Sequence, residues 1–340
     1  MNQKTLITIA LNSSLLEIRT WPKPGNVHKT QNFLKTTYTD FLTAIYNGKS
    51  VWNDLLQTLE SSKDNTSTIY VKTLMKAVKQ MRSVQSGGNV LLGHYLLNIP
   101  LFMGAFYCMK HEILDESQFW KYIHEIFNKS SSHDTIVLFN AIRLAQPGGM
   151  GTRKKYDLYN QNVESELIKD DINLLKIFEL SKNYDTISEQ LVSNYNFART
   201  TIISILIKYQ SEYPDMNTTF PRICLNQILQ QDVIEISEDL NEYIVRVFLH
   251  ILSQRIDTLI ARKTSVSQAE QVSKKAKKIV DQFSRVARDD WFGLVLQFDS
   301  ELQRFNGKLN PGTTADLLAC SLFIYLIKQQ LFNKNLVNSL

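Results

Sequence analysis

Apolar residues recur at every third or fourth position along most of this chain, as at Leu55 and Leu59, Leu174, Ile177 and Leu180, Ile202 and Leu206, and Ile244, Phe248 and Leu252. That spacing gathers the apolar side chains on one stripe of an α-helix, whereas a strand would need them to alternate. Turn chemistry is scarce too. Only 12 Gly and 7 Pro are spread over 340 residues, too few for the many turns of a sandwich or barrel, and no short Val/Ile runs alternate with helices as a parallel sheet would demand. The expected fold is all-α, an irregular multi-helix bundle forming a single domain over residues 1–340. A chain of this length can bury a large core. No repeat of fixed period points to a solenoid.

The breakers fall in a few places: Pro22 to Gly25, Gly87-Gly88, Pro147 to Gly151, Pro214 with Pro221, and Asn310-Pro311-Gly312. Segments 60–67 and 128–134 read as polar linkers, and 211–222 as the longest irregular stretch. Three loops, 22–28, 147–157 and 306–316, carry Lys23, Asn26, His28, Arg153, Lys154, Lys155, Asp157, Asn310 and Thr313. Polar loops fixed on rigid helix ends are where binding groups usually sit, and convergence of these three would make one polyanion cleft. The third of them opens onto the apolar run from Leu318 to Ile327. There Pro311 and Gly312 make a turn, Thr313 or Thr314 is placed to cap the next helix, and Asp316 falls in its first turn. Such a junction offers backbone N–H groups, hydroxyls and a carboxylate at a fixed point, suited to a phosphate or a metal–phosphate complex.

Other features narrow the class. Met1 to Ile18 reads as a first helix rather than a signal peptide. The aliphatic runs at 96–106 and 317–327 are shorter than the roughly 20 residues of a bilayer span, so no membrane partner is expected. Cys108, Cys224 and Cys320 are far apart among apolar neighbours and fit neither a disulfide framework nor a zinc site, which suggests a reducing, cytoplasmic setting. The net charge of +5 is partly concentrated in Lys274, Lys275, Lys277 and Lys278, and no aromatic residues interleave with them. A solvated helix face explains that cluster better than a nucleic-acid patch. Trp291 and Phe292 read as core anchors, and His94 and His111 as core or surface residues.

Taken together, five blocks resemble one family. Leu16-Glu17, Pro22-Lys23-Pro24-Gly25-Asn26-Val27-His28 and Thr36-Thr37-Tyr38-Thr39-Asp40-Phe41 resemble the N-terminal signature of the triphosphoribosyl-dephospho-CoA synthase family in its archaeal form. Asn89 to Leu101 is similar to the family's Asn- and Gly-containing helix start, and Ala141 to Gly151 with Asp157 to its Pro-Gly-Gly loop. Asp257 to Lys263 and Asn310 to Leu317 complete the set in the same order. The resemblance implies an all-α transferase that moves the 5-triphosphoribosyl group of ATP to the 2′-hydroxyl of 3′-dephospho-CoA and releases adenine. It implies ATP, dephospho-CoA and Mg²⁺ as what the site takes.

Cleavage of an N-glycosidic bond develops positive charge on the ribose, which calls for a nearby carboxylate, a base for the incoming hydroxyl and cations for the triphosphate. Asp316 and Asp257 are the candidates for metal binding or base, with Glu17 as a further metal ligand. Lys23, Arg262 and Lys263 are the candidate cations, and Gly148, Gly149 and Gly151 allow the backbone to come close. Asn26, His28, Asn89, Arg143, Asp157, Asn310, Thr313 and Thr314 are further candidates for nucleotide contact. Arg143 serves equally well as the partner of an acid, and Asp157 as a helix cap. Two departures from the family pattern stand out. Val90 and Leu91 replace an expected Thr–Asn pair, and Asn32 and Lys35 stand where acidic residues are favoured. They leave open a nucleotide-binding homologue with another acceptor, or an inactive helical interaction protein.

Overall fold

The computed structural model describes residues 1–213 and 237–332, so Pro214, Pro221, Cys224 and most of the 211–222 stretch lie outside the described residues. The first half of the chain contributes α1 (Gln3–Arg19), α2 (Tyr38–Asn47), α3 (Lys49–Ser61), α4 (Thr66–Ser83), α5 (Leu92–Lys110), α6 (Glu116–Asn128) and α7 (Ser132–Ala145). Then come α8 (Val163–Lys169), α9 (Leu174–Ser181), α10 (Thr186–Val192) and, after a π-helical turn (Phe197–Ile202), α11 (Ile203–Ser211). The C-terminal part has α12 (Glu238–Gln254), α13 (Thr258–Lys263), α14 (Val266–Val280), α15 (Arg288–Gln303) and α16 (Gly312–Ile327). No strand occurs among the described residues; one isolated bridge pairs His28 with Gln31. The all-α expectation holds.

Three helices make the centre. α1, α5 and α16 pack against one another, and α5 and α16 are buried on nearly every face. A helix that is apolar all round has no solvent face to offer and must sit inside. Both are longer than the runs marking them in the sequence: Leu92–Lys110, and Gly312–Phe332 once the π-helical turn Lys328–Phe332 that continues α16 is included, are long and apolar enough to cross a membrane, but 89% and 72% of their most apolar stretches are buried within the bundle. Their surface is thus spent on other helices. α2, α3 and α4 flank the centre on one side, while α12, α13 and the 197–202 turn flank α16 on the other. The amphipathic α14 lies on α12 and turns Lys274, Lys277 and Lys278 outward, as the sequence suggests. Cys108 and Cys320 are both buried as free thiols.

Pro100 sits inside α5 and cannot donate to the carbonyl of Leu96, one turn earlier. The Tyr70 hydroxyl supplies the missing donor to that carbonyl at 3.3 Å, and the Tyr195 hydroxyl donates to the next one, on Leu97, at 2.7 Å. Both tyrosines are fully buried, so the proline is tolerated because two side chains replace its hydrogen bond. Tyr70→Phe leaves the Leu96 carbonyl without a donor in a dry core and lowers stability by about 1–3 kcal/mol, measured by urea unfolding; a loss under a few tenths would mean that the hydroxyl is not needed.

Candidate functional site

The end of α1, the loop after it and the starts of α5, α13 and α16 meet around a pocket of ≈ 110 Å³. Glu17, Lys23, Asn26, Asn89, Asn310 and Asp316 line it, all of them expected from the sequence. Its apolar wall includes Val27, Phe41, Val90, Leu92 and Leu259. Loops 22–28 and 306–316 therefore converge as expected, joined by the start of α5.

Glu17 reaches in from the last turns of α1, and the Pro22–Gly25 loop brings Lys23 onto it in a buried ion pair with side chains 2% and 1% exposed. Burial pushes the Glu17 carboxyl up and the Lys23 amine down from their usual ranges, and each partner opposes the other's shift. Separating such a pair strands a charge in a dry place, so the two residues act as one unit. His94, in the first turn of α5, completes the group. Its Nδ1 lies 2.9 Å from Ser14 Oγ, and its Nε2 faces two carboxylates, Glu17 Oε2 at 3.8 Å and Asp316 Oδ1 at 3.6 Å. A nitrogen between two acceptors is best satisfied by carrying the proton, which assigns Nε2–H and leaves Nδ1 to accept from Ser14. Burial, with Lys23 nearby, lowers the His94 pKa to about 3, so the ring is neutral.

Asp316 differs from Glu17 because no lysine or arginine pairs with it among the described residues. Its side chain is 21% exposed, toward the pocket. Burial and the negative charges of Glu17, Asp257 and Asp185 raise its pKa well above the usual carboxylate range, against the opposing influence of Arg262. Room for the carboxyl is made by Gly93: a Cβ there would stand 2.2 Å from Asp316 Cγ. Two polar atoms in the same wall, the Asn26 amide nitrogen and the Asn310 amide oxygen, are buried without a partner among the described residues. An unpaired donor and an unpaired acceptor on two residues that line one small pocket mark a place prepared for a polar ligand.

Asp257 does something other than what the sequence suggests. It caps α13 by accepting from the N–H groups of Leu259 (2.9 Å) and Ile260 (3.1 Å), and its other oxygen accepts from the Thr314 N–H (2.7 Å) and hydroxyl (2.9 Å). Four donors saturate the carboxylate, which is 2% exposed and does not line the pocket. Thr313 and Thr314 are not caps either. α16 begins at Gly312, no side chain of its own caps it, and Asp316 stands just beyond its first turn. The cap arrives from Asp257, and Thr313 Oγ1 accepts from Thr258 at 3.3 Å.

The comparisons agree with this architecture. The model of the family described as ATP:dephospho-CoA triphosphoribosyl transferase matches residues 3–227 and 204–334. The chain belongs to that family. Its reaction is the transfer of the triphosphoribosyl group of ATP to dephospho-CoA. A crystal structure from Archaeoglobus fulgidus that carries the name triphosphoribosyl-dephospho-CoA synthase superposes with a TM-score of 0.57 at 18% identity, covering 84% of this chain and 98% of that one, and so shares the fold. No curated protein matches significantly.

The remaining expected residues of this transferase lie outside the pocket. His28 is buried, its Nε2 3.0 Å from Asp299 Oδ2 and its Nδ1 3.1 Å from Thr30 Oγ1, and it fastens the 20–31 loop to α15 instead of facing substrate. Arg143 donates to the Leu158 carbonyl and to Asn140, both at 2.7 Å, and supports the loop after α7. Asp157 accepts from the backbone of Arg153 (2.6 Å) and Tyr159 (2.9 Å), shaping its own loop rather than capping a helix. Arg262 is paired with Asp185 at 2.5 Å. Gly148 and Gly149 pack on the stems of Lys263 and Arg262, while Gly151 stands in open space.

Sequence reasoning misses Gly93 and His94 as site residues. The one available signal is a Gly-His pair at the head of an apolar helix. Gly93→Ala pushes the Asp316 carboxyl out of place: adenine release falls by about 10²-fold or more while the helix content by circular dichroism stays unchanged. Activity within twofold of the parent would show that the contact has no bearing on the reaction.

Proposed function

We propose that this pocket is where the transfer occurs, with the donor ribose enclosed between the Asn26, Asn89 and Asn310 amides and Asp316 acting on the acceptor's 2′-hydroxyl. The observation that carries this reading is the single unpaired carboxyl of Asp316, held beside neutral His94 and facing the cavity. As adenine departs, positive charge spreads over the ribose ring, and a nearby carboxylate stabilises it. The same group accepts the proton of the incoming hydroxyl. A general base works best with a pKa near the operating pH, and burial moves Asp316 in that direction. His94 Nε2, 3.6 Å from the Asp316 carboxyl, is the nearest polar group that can move in to steady the ionised form.

Mg²⁺ enters this scheme as part of the substrate. Among the described residues no group of three or more His, Cys, Asp or Glu is arranged to hold a metal. Glu17 is committed to Lys23, and Asp257 is saturated by four donors. The residues present do not fit a resident Mg²⁺, and phosphate oxygens and water are the ligands that such an ion ordinarily prefers. It is bound as the counter-ion of ATP.

Purified protein given ATP, Mg²⁺ and dephospho-CoA releases adenine, followed by chromatography; no release would overturn the reading. Asp316→Asn lowers that rate by about 10²–10⁴-fold. The pH dependence has a definite sign. Because the folded-state pKa of Asp316 is raised, folding favours its protonated form, and the stability linked to it is lost as pH climbs past the ordinary carboxylate range toward the folded value. Catalysis needs the ionised form, so activity rises over the same interval in which stability falls. Asp316→Asn removes the linkage, and its Tm at pH 8 equals or exceeds that of the parent. A lower Tm with activity retained would make Asp316 a structural residue.

A further inference from the structure

The cations expected to bind triphosphate are not equivalent. Lys23, at the back of the pocket, is neutralised by Glu17, and Arg262 by Asp185. Arg143 lies elsewhere and faces Glu164 at 3.4 Å. Lys263 is the exception. Its Nζ donates to the Gly307 carbonyl at 3.1 Å, and no carboxylate lies within ion-pair distance of it among the described residues. A half-buried ammonium without an acid partner is costly to keep unless it meets an anion.

Its position is equally telling. Lys263 stands one turn beyond Leu259 on α13, and Leu259 lines the pocket. The carbonyl that holds its amine belongs to Gly307, in the same loop as the pocket residue Asn310. Against its stem lies the Pro147–Gly151 loop: a Cβ on Gly148 would be 3.1 Å from Lys263 Cε, and one on Gly149 3.4 Å from its Cγ. Gly149 and Gly151 have φ of +75° and +62°, values that side chains rarely adopt. The N–H groups from Gly148 to Thr152 donate to no acceptor among the described residues. Glycine amides without an internal partner, next to the stem of a lysine, are groups that phosphate oxygens can approach closely. The pocket interior is the reverse, with apolar walls, amides and no uncompensated positive charge.

The geometry points to a divided donor site, with the polyphosphate of the nucleotide on Lys263 and the Gly148–Thr152 amides at the rim, and the uncharged ribose in the pocket, away from Lys23. This division rests on the transferase reading above and adds to it the direction in which the nucleotide lies. It makes the Glu17–Lys23 pair a fixed wall of the site and not its phosphate clamp.

Inorganic triphosphate is the probe that separates the two lysines, with adenosine as its uncharged counterpart, each titrated calorimetrically into the full-length protein. Lys263→Met weakens triphosphate binding by about tenfold or more and leaves adenosine binding within twofold. Lys23→Met alone strands the buried Glu17 carboxylate, so the matched variant is Glu17→Gln with Lys23→Met, which retains triphosphate affinity. Triphosphate binding that survives Lys263→Met, that is lost in the paired variant, or that is absent from the parent protein overturns the inference, as does an equal loss of adenosine. If the parent binds triphosphate through Lys263 but never releases adenine from ATP, the transferase reading fails and the phosphate site stands.

Discussion

The site depends on one carboxylate that takes no part in it. Asp257 joins the starts of two helices, accepting from Leu259 and Ile260 on α13 and from Thr314 on α16. Each of those N–H groups belongs to the set that a helix leaves unpaired at its beginning. α16 begins on Pro311 and Gly312 without a capping side chain of its own, so its first turn is satisfied from outside. Asp316 lies two residues after Thr314 and Leu259 two after Asp257, which means that one buried carboxylate fixes both the carboxyl proposed to react and a wall of the pocket. Lys263, a turn further along α13, inherits its place in the same way. Precision at a site built on helix ends requires this kind of support, because a loose terminus would blur every distance beyond it.

Around that brace the protein gathers charge where water is scarce. Glu17 with Lys23 is a nearly dry ion pair, His94 lies within 4 Å of Glu17, and Asp316 lies within 4 Å of His94. Burying such groups costs stability that an apolar filling would not. The return is a set of dipoles already oriented when substrate arrives, which is the arrangement most useful for stabilising charge that develops only in the transition state. The neutral state of His94 belongs to the same logic. A protonated ring would form a tight pair with Asp316 and quench its basicity, whereas a neutral Nε2–H lends it one donor and no charge.

Much of this was legible in the sequence, for reasons that can be traced. Helical periodicity and sparse turn residues gave the fold class, because burial of one helix face is written in the order of residues. The Pro22–Gly25 and Asn310–Gly312 loops pointed at the pocket, because breakers with polar neighbours mark helix ends. What was hidden depends on pairs remote in the chain. Asp257 in the N-cap position looks the same in sequence whether it caps a helix or serves chemistry, and only the four donors around it decide. Thr313 and Thr314 read as caps because hydroxyls after Pro-Gly usually are. Gly93 shows its purpose only when Asp316 arrives from the other end of the chain, and His94, among apolar neighbours, reads as a packed residue until Ser14 and two carboxylates surround it. His28 looks like a loop residue free to meet a nucleotide, yet Asp299 holds it inside.

The size of the pocket ties these points together. At ≈ 110 Å³ it is far below the roughly 300–1,000 Å³ of sites that enclose a whole drug-sized ligand. Neither ATP nor dephospho-CoA fits within it, so only a part of either can be enclosed. The part of the donor that must be enclosed is the part that reacts, since a glycosidic bond breaking toward an oxocarbenium-like state is vulnerable to water at the same carbon that the acceptor attacks. Val90 then acquires a meaning as part of the apolar wall: where the family pattern favours a polar residue, this chain lines the enclosure with a side chain that cannot hold a competing water. An enclosure of this kind needs its highly charged substituents left outside, and the surface at its mouth is where both the phosphates and the acceptor have to be received.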